Sequence, residues 1–228
     1  MVRNRITALI FRSISFTLIL TGLMSMLGIT SGRLSLSVLM FYTGQSNLLA
    51  LILFGLLITL TIKGVSENGT SGSAGYLARF EMICAVDLLL TLVVFWVMLA
   101  PGISGSGKGS YSLWTYENMA VHLITPLLCL ADYILFSKPG HLKYRDVYLV
   151  TVFPFAYMVF SSAAGLAGYV YWTGSDGLPV RFPYFFYDFD RIGAASILYI
   201  GILTIFFIAV SHGLYFIDKK IRKPVNQK

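Results

Sequence analysis

Six long apolar runs dominate the chain, at residues 6–28, 34–62, 82–99, 116–136, 147–172 and 194–216. A helix crossing a hydrocarbon layer needs ~17–25 mostly apolar residues, and each run supplies them. Gly/Ser-rich stretches, such as 66–75 and 102–110, separate the runs; they favour turns over continued helix. There is no internal repeat, and no polar segment is long enough to fold alone. The pattern predicts an all-α polytopic membrane protein, one domain over residues 1–228, built as a bundle of six transmembrane helices.

Composition agrees. The chain is 57% apolar and only 12% charged, with a mean hydropathy of +0.76, against ~25% charged residues in soluble domains. The net charge of +7 is not a nucleic-acid footprint, because the basic residues sit in end segments and short loops. On one side fall twelve: Arg3, Arg5, Lys63, Arg79, Lys138, Lys143, Arg145, Lys219, Lys220, Arg222, Lys223 and Lys228. On the other fall four: Arg33, Lys108, Arg181 and Arg191. The positive-inside rule then places both termini in the cytoplasm of a multi-pass cell-membrane protein. The basic start followed by an apolar run has the look of a signal peptide, but Arg12 interrupts it and no clean cleavage site follows, so it is read as an uncleaved first helix. Cys84 and Cys129 both lie in apolar runs and give no disulfide framework. Asn68-Gly69-Thr70 matches a glycosylation acceptor, but it falls on the cytoplasmic side and is read as a flexible turn.

Candidate chemistry lies where polar residues interrupt the apolar pattern. The run Phe41-Tyr42-Thr43-Gly44-Gln45-Ser46-Asn47 is embedded in the second span. Lipid offers no hydrogen bonds, so such groups are expected to face the bundle interior. In the fourth span Thr115, Asn118, His122, Thr125, Cys129 and Asp132 recur at spacings of three and four, which puts them on one helix face. Counted from the outer ends of their spans at 1.5 Å per residue, Thr43 lies about 13 Å in and His122 about 9 Å in. A hydroxyl and an imidazole thus reach similar depth. A threonine hydroxyl needs a base within hydrogen-bond reach to become a nucleophile, and His122 is the histidine at that depth. Gln45, Ser46, Asn47 and Asn118 are candidate substrate or oxyanion contacts. Glu117 points about 140° away from His122 around the helix, so the pair reads as a dyad. Polar residues that merely join helices would give the same spacing.

Two further constellations stand out. Arg12, Asp87 and Asp132 form a candidate buried charge cluster, because an unpaired charge at membrane depth is costly. It reads as an ion pair or triad joining the first, third and fourth spans, or as a relay. His212 reads as an interfacial residue. The loop Phe182-Pro183-Tyr184-Phe185-Phe186-Tyr187-Asp188 reads as an aromatic belt at the membrane surface, or as a lid in which Pro183, Tyr184 and Asp188 close over the Thr43 level. No cluster has metal-ligand spacing, and no cofactor or metal is expected. A competing class is a proton- or ion-coupled transporter that uses the stripe from His122 to Asp132.

The run from Phe41 to Leu49, His122 with Pro126 and Asp132-Tyr133, Lys138-Pro139-Gly140 before a Pro154-bearing span, and the Phe182 to Asp188 loop carry a resemblance covering most of the chain. It resembles bacterial six-helix integral membrane proteins related to the androgen-induced protein family of intramembrane threonine hydrolases. The resemblance implies hydrolysis of lipid esters, such as fatty acid esters of hydroxy fatty acids. It puts the threonine on Thr43 and the histidine on His122. The implied partner is a lipid or other long-chain ester in the membrane, with no nucleic acid.

Overall fold

The computed structural model describes residues 1–105, 112–174 and 176–221. Among these, six helices are long and apolar enough to cross a membrane: α1 (Arg5–Met26), α2 (Tyr42–Asn68), α3 (Ala78–Gly102), α4 (Tyr116–Phe136), α5 (Tyr144–Leu166) and α6 (Ala195–Lys219). Of the basic residues counted above, Lys108, Arg222, Lys223 and Lys228 lie outside the described residues.

Asn4 starts α1, its side chain accepting the Ile6 and Thr7 N–H groups at 2.9 and 3.0 Å. Such a cap contributes about 1 kcal/mol. Arg5 turns back from α1 and donates to the carbonyls of Asn68, Gly69, Ser71 and Ser73. It thereby satisfies acceptors that the end of α2 leaves open and fixes the start of α1 to the end of α2. Gly69 sits at φ 69°, ψ −170°, a positive-φ conformation open to glycine because it has no Cβ, so the Asn68-Gly69-Thr70 stretch is a helix-terminating turn.

α1 packs along α2 and against α4, and α3 lies between α2 and α4. α3 and α4 form the centre: 56% and 50% of their most apolar windows are buried, against 22% and 17% for α5 and α6. The outward faces of α5 and α6 carry exposed Val159, Ile197 and Ile205. They suit a hydrocarbon surround, which requires no polar outer face. One apolar cluster, with Ile19, Phe54 and Leu88, joins α1 to α3; a second, with Met82, Tyr133, Tyr157 and Phe207, joins α3 and α4 to the outer pair.

Several spans differ from the sequence expectation. α2 begins at Tyr42, not residue 34. Residues Leu36–Met40 form a short 3-10 helix, and Phe41 is extended at φ −101°, ψ 147°. The polar run is therefore the first turns of a helix rather than its middle. α5 starts earlier, its first turns (Tyr144–Thr151) being 3-10, and ends at Leu166; after it comes a small antiparallel hairpin of β1 (Trp172–Thr173) and β2 (Pro179–Val180).

The charge cluster also differs. Arg12 donates to Asp132 through two nitrogens, Nε to Oδ1 at 2.8 Å and Nη2 to Oδ2 at 3.0 Å. Its third nitrogen donates to the Gly75 carbonyl at 2.6 Å and the Thr61 hydroxyl at 2.7 Å. The further carboxylate is Glu81, 3.9 Å away, and not Asp87. Asp87 instead faces the Tyr42 hydroxyl, without an ordinary hydrogen bond between them. Glu81 lies just before the apolar run drawn from residue 82, on a turn of α3 that the run omits.

Candidate functional site

Thr43 enters the site on the first turn of α2, directly after the extended Phe41. Gly44 lets this turn form: a Cβ there would run into the Val38 carbonyl of the preceding 3-10 turn. His122 lies on a π-helical turn of α4, Ala120–Ile124. A second π turn, Val94–Leu99, sits beside it in α3. Each inserts an extra residue and rotates the helix beyond it, and such turns recur at functional sites. They bring the Phe95 ring against the imidazole, centroids 3.7 Å apart and planes 18° from parallel. Trp96 Nε1 donates to the His122 carbonyl at 3.2 Å, holding the same turn.

Thr43 Oγ1 and His122 Nε2 are 3.3 Å apart, and both side chains are buried. His122 Nδ1 lies 3.2 Å from the Asn118 carbonyl oxygen. That oxygen can only accept, so Nδ1 carries the hydrogen and Nε2 turns a lone pair to Thr43. The neutral imidazole is thus in the tautomer a general base needs. Its orienting partner is a backbone carbonyl, not a carboxylate, which is why no third residue could be read from side chains.

The nominated amides and hydroxyls position Thr43 instead of facing the cavity. Asn47 Nδ2 donates to the Thr43 carbonyl at 2.9 Å and to Val121 across on α4 at 3.1 Å. Gln45 Nε2 donates to Leu39 at 2.9 Å. Ser46 bonds the Thr43 carbonyl and shares a 3.2 Å contact with Thr91 of α3. Asn118 Nδ2 donates to Leu113 at 3.1 Å. Thr115, the top of the predicted stripe, is exposed and caps α4 by accepting the Asn118 N–H. Asn118, His122, Thr125, Cys129 and Asp132 are all buried.

Thr43 and His122 line a cavity of about 90 Å³. A single water needs only ~10–15 Å³ by this measure, and the walls are mostly apolar. Asn118, Thr125, Cys129 and Asp132 do not line it. α6 meets α5 at the latter's first turns, and meets the aromatic loop at Phe185–Tyr187. Between these two contacts the cavity separates the helices, walled by Pro154, Phe155 and Met158 of α5 and Ile200, Leu203 and Phe207 of α6.

The aromatic loop folds into the bundle rather than lying as a belt. Phe182, Phe186 and Tyr187 are buried in the cluster that also holds Tyr42 and Phe207. Tyr184 lines the cavity, its hydroxyl facing Thr43. Pro183 is buried beside it, while Asp188 accepts the Asp190 and Arg191 N–H groups at 3.1 and 3.2 Å and so shapes the loop. His212 sits apart, against the rings of Tyr144 and Tyr148. Among the described residues, no three His, Cys, Asp or Glu side chains gather as they would around a metal ion. Comparison of the chain with protein-family models, curated proteins and solved structures found no match.

Proposed function

We propose that this protein is an intramembrane hydrolase of lipid esters, with Thr43 as nucleophile and His122 as general base. The observation that carries the reading is the 3.3 Å approach of Thr43 Oγ1 to an imidazole nitrogen whose tautomer leaves it free to accept, at the wall of an apolar cavity. The likeness of the Phe41–Leu49 and Phe182–Asp188 motifs to the androgen-induced threonine hydrolases points the same way. On this reading Thr43 Oγ1 attacks the ester carbonyl as its proton passes to His122 Nε2. The tetrahedral intermediate collapses, the alcohol leaves with the proton from His122, and an acyl-threonine remains. Water then attacks that ester with His122 again as base, releasing the acid.

The walls support the proposed substrate class. Apolar side chains suit an acyl chain. The gap between α5 and α6 faces outward through the two least buried helices, so a membrane lipid can reach Thr43 sideways without crossing water. We place the protein in the cell membrane with both termini cytoplasmic.

The test is turnover of p-nitrophenyl esters in detergent by wild type, Thr43→Ala and His122→Ala. Both variants are expected to lose activity, and mass spectrometry of the wild type stopped in acid should find the acyl group on Thr43. Equal rates in all three would reject the dyad.

A further inference from the structure

An ester hydrolase must stabilise the oxyanion of its tetrahedral intermediate. In an apolar cavity a single missing donor costs about 10²–10³ in rate. The side-chain donors beside Thr43 on α2, and Asn118 on α4, are occupied: Gln45, Ser46, Asn47 and Asn118 all donate to backbone carbonyls, and none lines the cavity. The donor has to come from elsewhere.

We propose that Tyr184 is a catalytic residue whose hydroxyl donates to the oxyanion formed when Thr43 attacks. This rests on the hydrolase reading above. Three observations place it. First, Tyr184 lines the cavity, and its hydroxyl faces the hydroxyls of Thr43 and Tyr157 together with the backbone N–H groups of Tyr42 and Thr43. These amides belong to the open first turn of α2, which has no intrahelical partner for them, and Phe41 supplies no side-chain cap. Amide N–H groups can only donate, so what they offer the phenol is a partner for its oxygen, and its own hydrogen is left to give. Tyr157 gives its hydrogen to the Met40 carbonyl and Thr43 sends its own to His122, so both facing oxygens can accept the Tyr184 hydrogen; Thr43 Oγ1 is the one beside which the oxyanion forms. A carbonyl carbon bonded to Oγ1 puts its oxygen next to that same hydrogen.

Second, the donor stays protonated. Burial pushes the Tyr184 hydroxyl up to about 12, well above neutral pH. Third, the ring is held. It stacks on Phe186 with centroids 5.3 Å apart and planes 11° from parallel, and it contacts Tyr157 and Tyr187 at 6.2 and 5.9 Å. Those two are anchored in turn: Tyr157 donates to the Met40 carbonyl at 2.9 Å, and Tyr187 bonds Ser161 at 2.8 Å. A preorganised donor needs no reorientation as charge develops.

The step balances without consuming Tyr184. The Oγ1–C bond forms, the carbonyl π pair moves onto oxygen, and the Thr43 proton goes to His122 Nε2. Tyr184 keeps its proton and only shares it. On collapse the pair returns, the ester C–O bond breaks, and His122 protonates the leaving alkoxide.

The experiment compares wild type, Tyr184→Phe and Tyr171→Phe, each full-length in detergent, with p-nitrophenyl octanoate. Tyr171 contacts the Ser161 carbonyl with its hydroxyl at 3.4 Å and does not line the cavity, so it controls for loss of a loop phenol. For Tyr184→Phe, kcat should fall ~10²–10³-fold, with KM and thermal unfolding close to wild type. Affinity for octylboronic acid, whose adduct with Thr43 carries the tetrahedral negative charge, should fall in parallel. Tyr171→Phe should leave kcat and boronate affinity unchanged. A Tyr184→Phe enzyme with wild-type kcat overturns the assignment. So does a rise in KM at constant kcat, or unchanged boronate affinity, because a merely structural role moves those together. If wild type itself shows no Thr43-dependent turnover, the hydrolase reading falls first and takes this one with it.

Discussion

Replacing Asp132 by alanine is expected to cost the folded bundle ~3–5 kcal/mol, the penalty for leaving one member of a buried ion pair uncompensated. The structure justifies the upper class of penalty. Arg12 is 0% exposed and Asp132 2%. The guanidinium meets the carboxylate through two nitrogens at 2.8 and 3.0 Å and spends its third on Gly75 and Thr61. No lipid-facing route offers it water. Glu81, 3.9 Å away, is the remaining anion; its single longer contact replaces only part of what is lost. Glu81→Gln alone should therefore cost less than Asp132→Ala. The double variant Arg12→Met, Asp132→Leu should recover part of the loss, since it removes both members of the close pair and refills the space with apolar atoms, leaving Glu81 as the carboxyl that has lost its cation.

The assay is unfolding of the purified protein by SDS in mixed micelles, followed by tryptophan fluorescence. Asp87→Asn is the internal control, because among the described residues no cation pairs with Asp87. If Asp87→Asn destabilises as much as Asp132→Ala, or if the double variant is no better than the worse single, the reasoning about this cluster is wrong. The same variants separate hydrolase from transporter. Per folded molecule, Asp132 and Asp87 variants should keep ester turnover while Thr43→Ala loses it. A relay along α4 would show the opposite pattern, with pH-dependent flux in liposomes abolished by the Asp variants.

Other outcomes follow from single contacts. Thr43→Ser should keep measurable turnover, since it preserves the hydroxyl, whereas Thr43→Ala should lose ~10³-fold or more, because removing the nucleophile leaves only positioning and electrostatics; both are read from initial rates. Gly44→Ala should abolish the proposed ester turnover and destabilise the protein by ~1–3 kcal/mol, because its Cβ would push the start of α2 away from the Val38 carbonyl and there is no slack in a packed core; ester turnover and SDS unfolding check it. Asn47→Leu should cost ~1–3 kcal/mol by removing the donor that reaches the Val121 carbonyl across the helices and one of the two side-chain donors to the Thr43 carbonyl. Thr204→Trp, on the α6 wall of the cavity, should slow p-nitrophenyl palmitate far more than p-nitrophenyl acetate, since a bulky ring there blocks the long chain and not the short one; equal slowing would refute lateral access.

How far the sequence could be read depended on whether side chains or backbone made each contact. The spans were legible because hydrocarbon demands long apolar stretches and the chain supplies them. The start of α2 was not: Leu34, Leu36 and Val38 are as apolar as the helix that follows, so hydropathy had no edge at Tyr42. Misplacing that edge put Thr43 too deep. Thr43 and His122 still meet, although the depth count behind that expectation does not hold: Thr43 is on the first turn of α2 and His122 is six residues into α4. The π turn at Ala120–Ile124 sets how the imidazole is presented, and its sequence signal is Pro126, which has no N–H for the His122 carbonyl four residues back. Asn118 was nominated for its amide and turned out to matter through its carbonyl, which any residue in its place would have carried.

These misses share a cause, and it bears on the site. Along a chain so poor in charge, side chains that look like catalytic donors are mostly needed to satisfy backbone left open by irregular turns. The polar run in the first turns of α2 does this at Leu39, Thr43 and Val121. Its amides are consumed in building the turn that aims Thr43, so the proposed chemistry rests on one hydroxyl, one imidazole and, from a loop far away in sequence, one phenol. A site assembled that way depends on the turn more than on the charge of its members. Substitutions that loosen the Leu36–Met40 to α2 junction should therefore abolish turnover while leaving the six-helix bundle folded, and Gln45→Ala, which frees only the Leu39 carbonyl at the bundle's end, is the mildest of them. Its kcat should fall with little change in SDS unfolding; an unchanged kcat would mean that Thr43 is aimed by α2 alone.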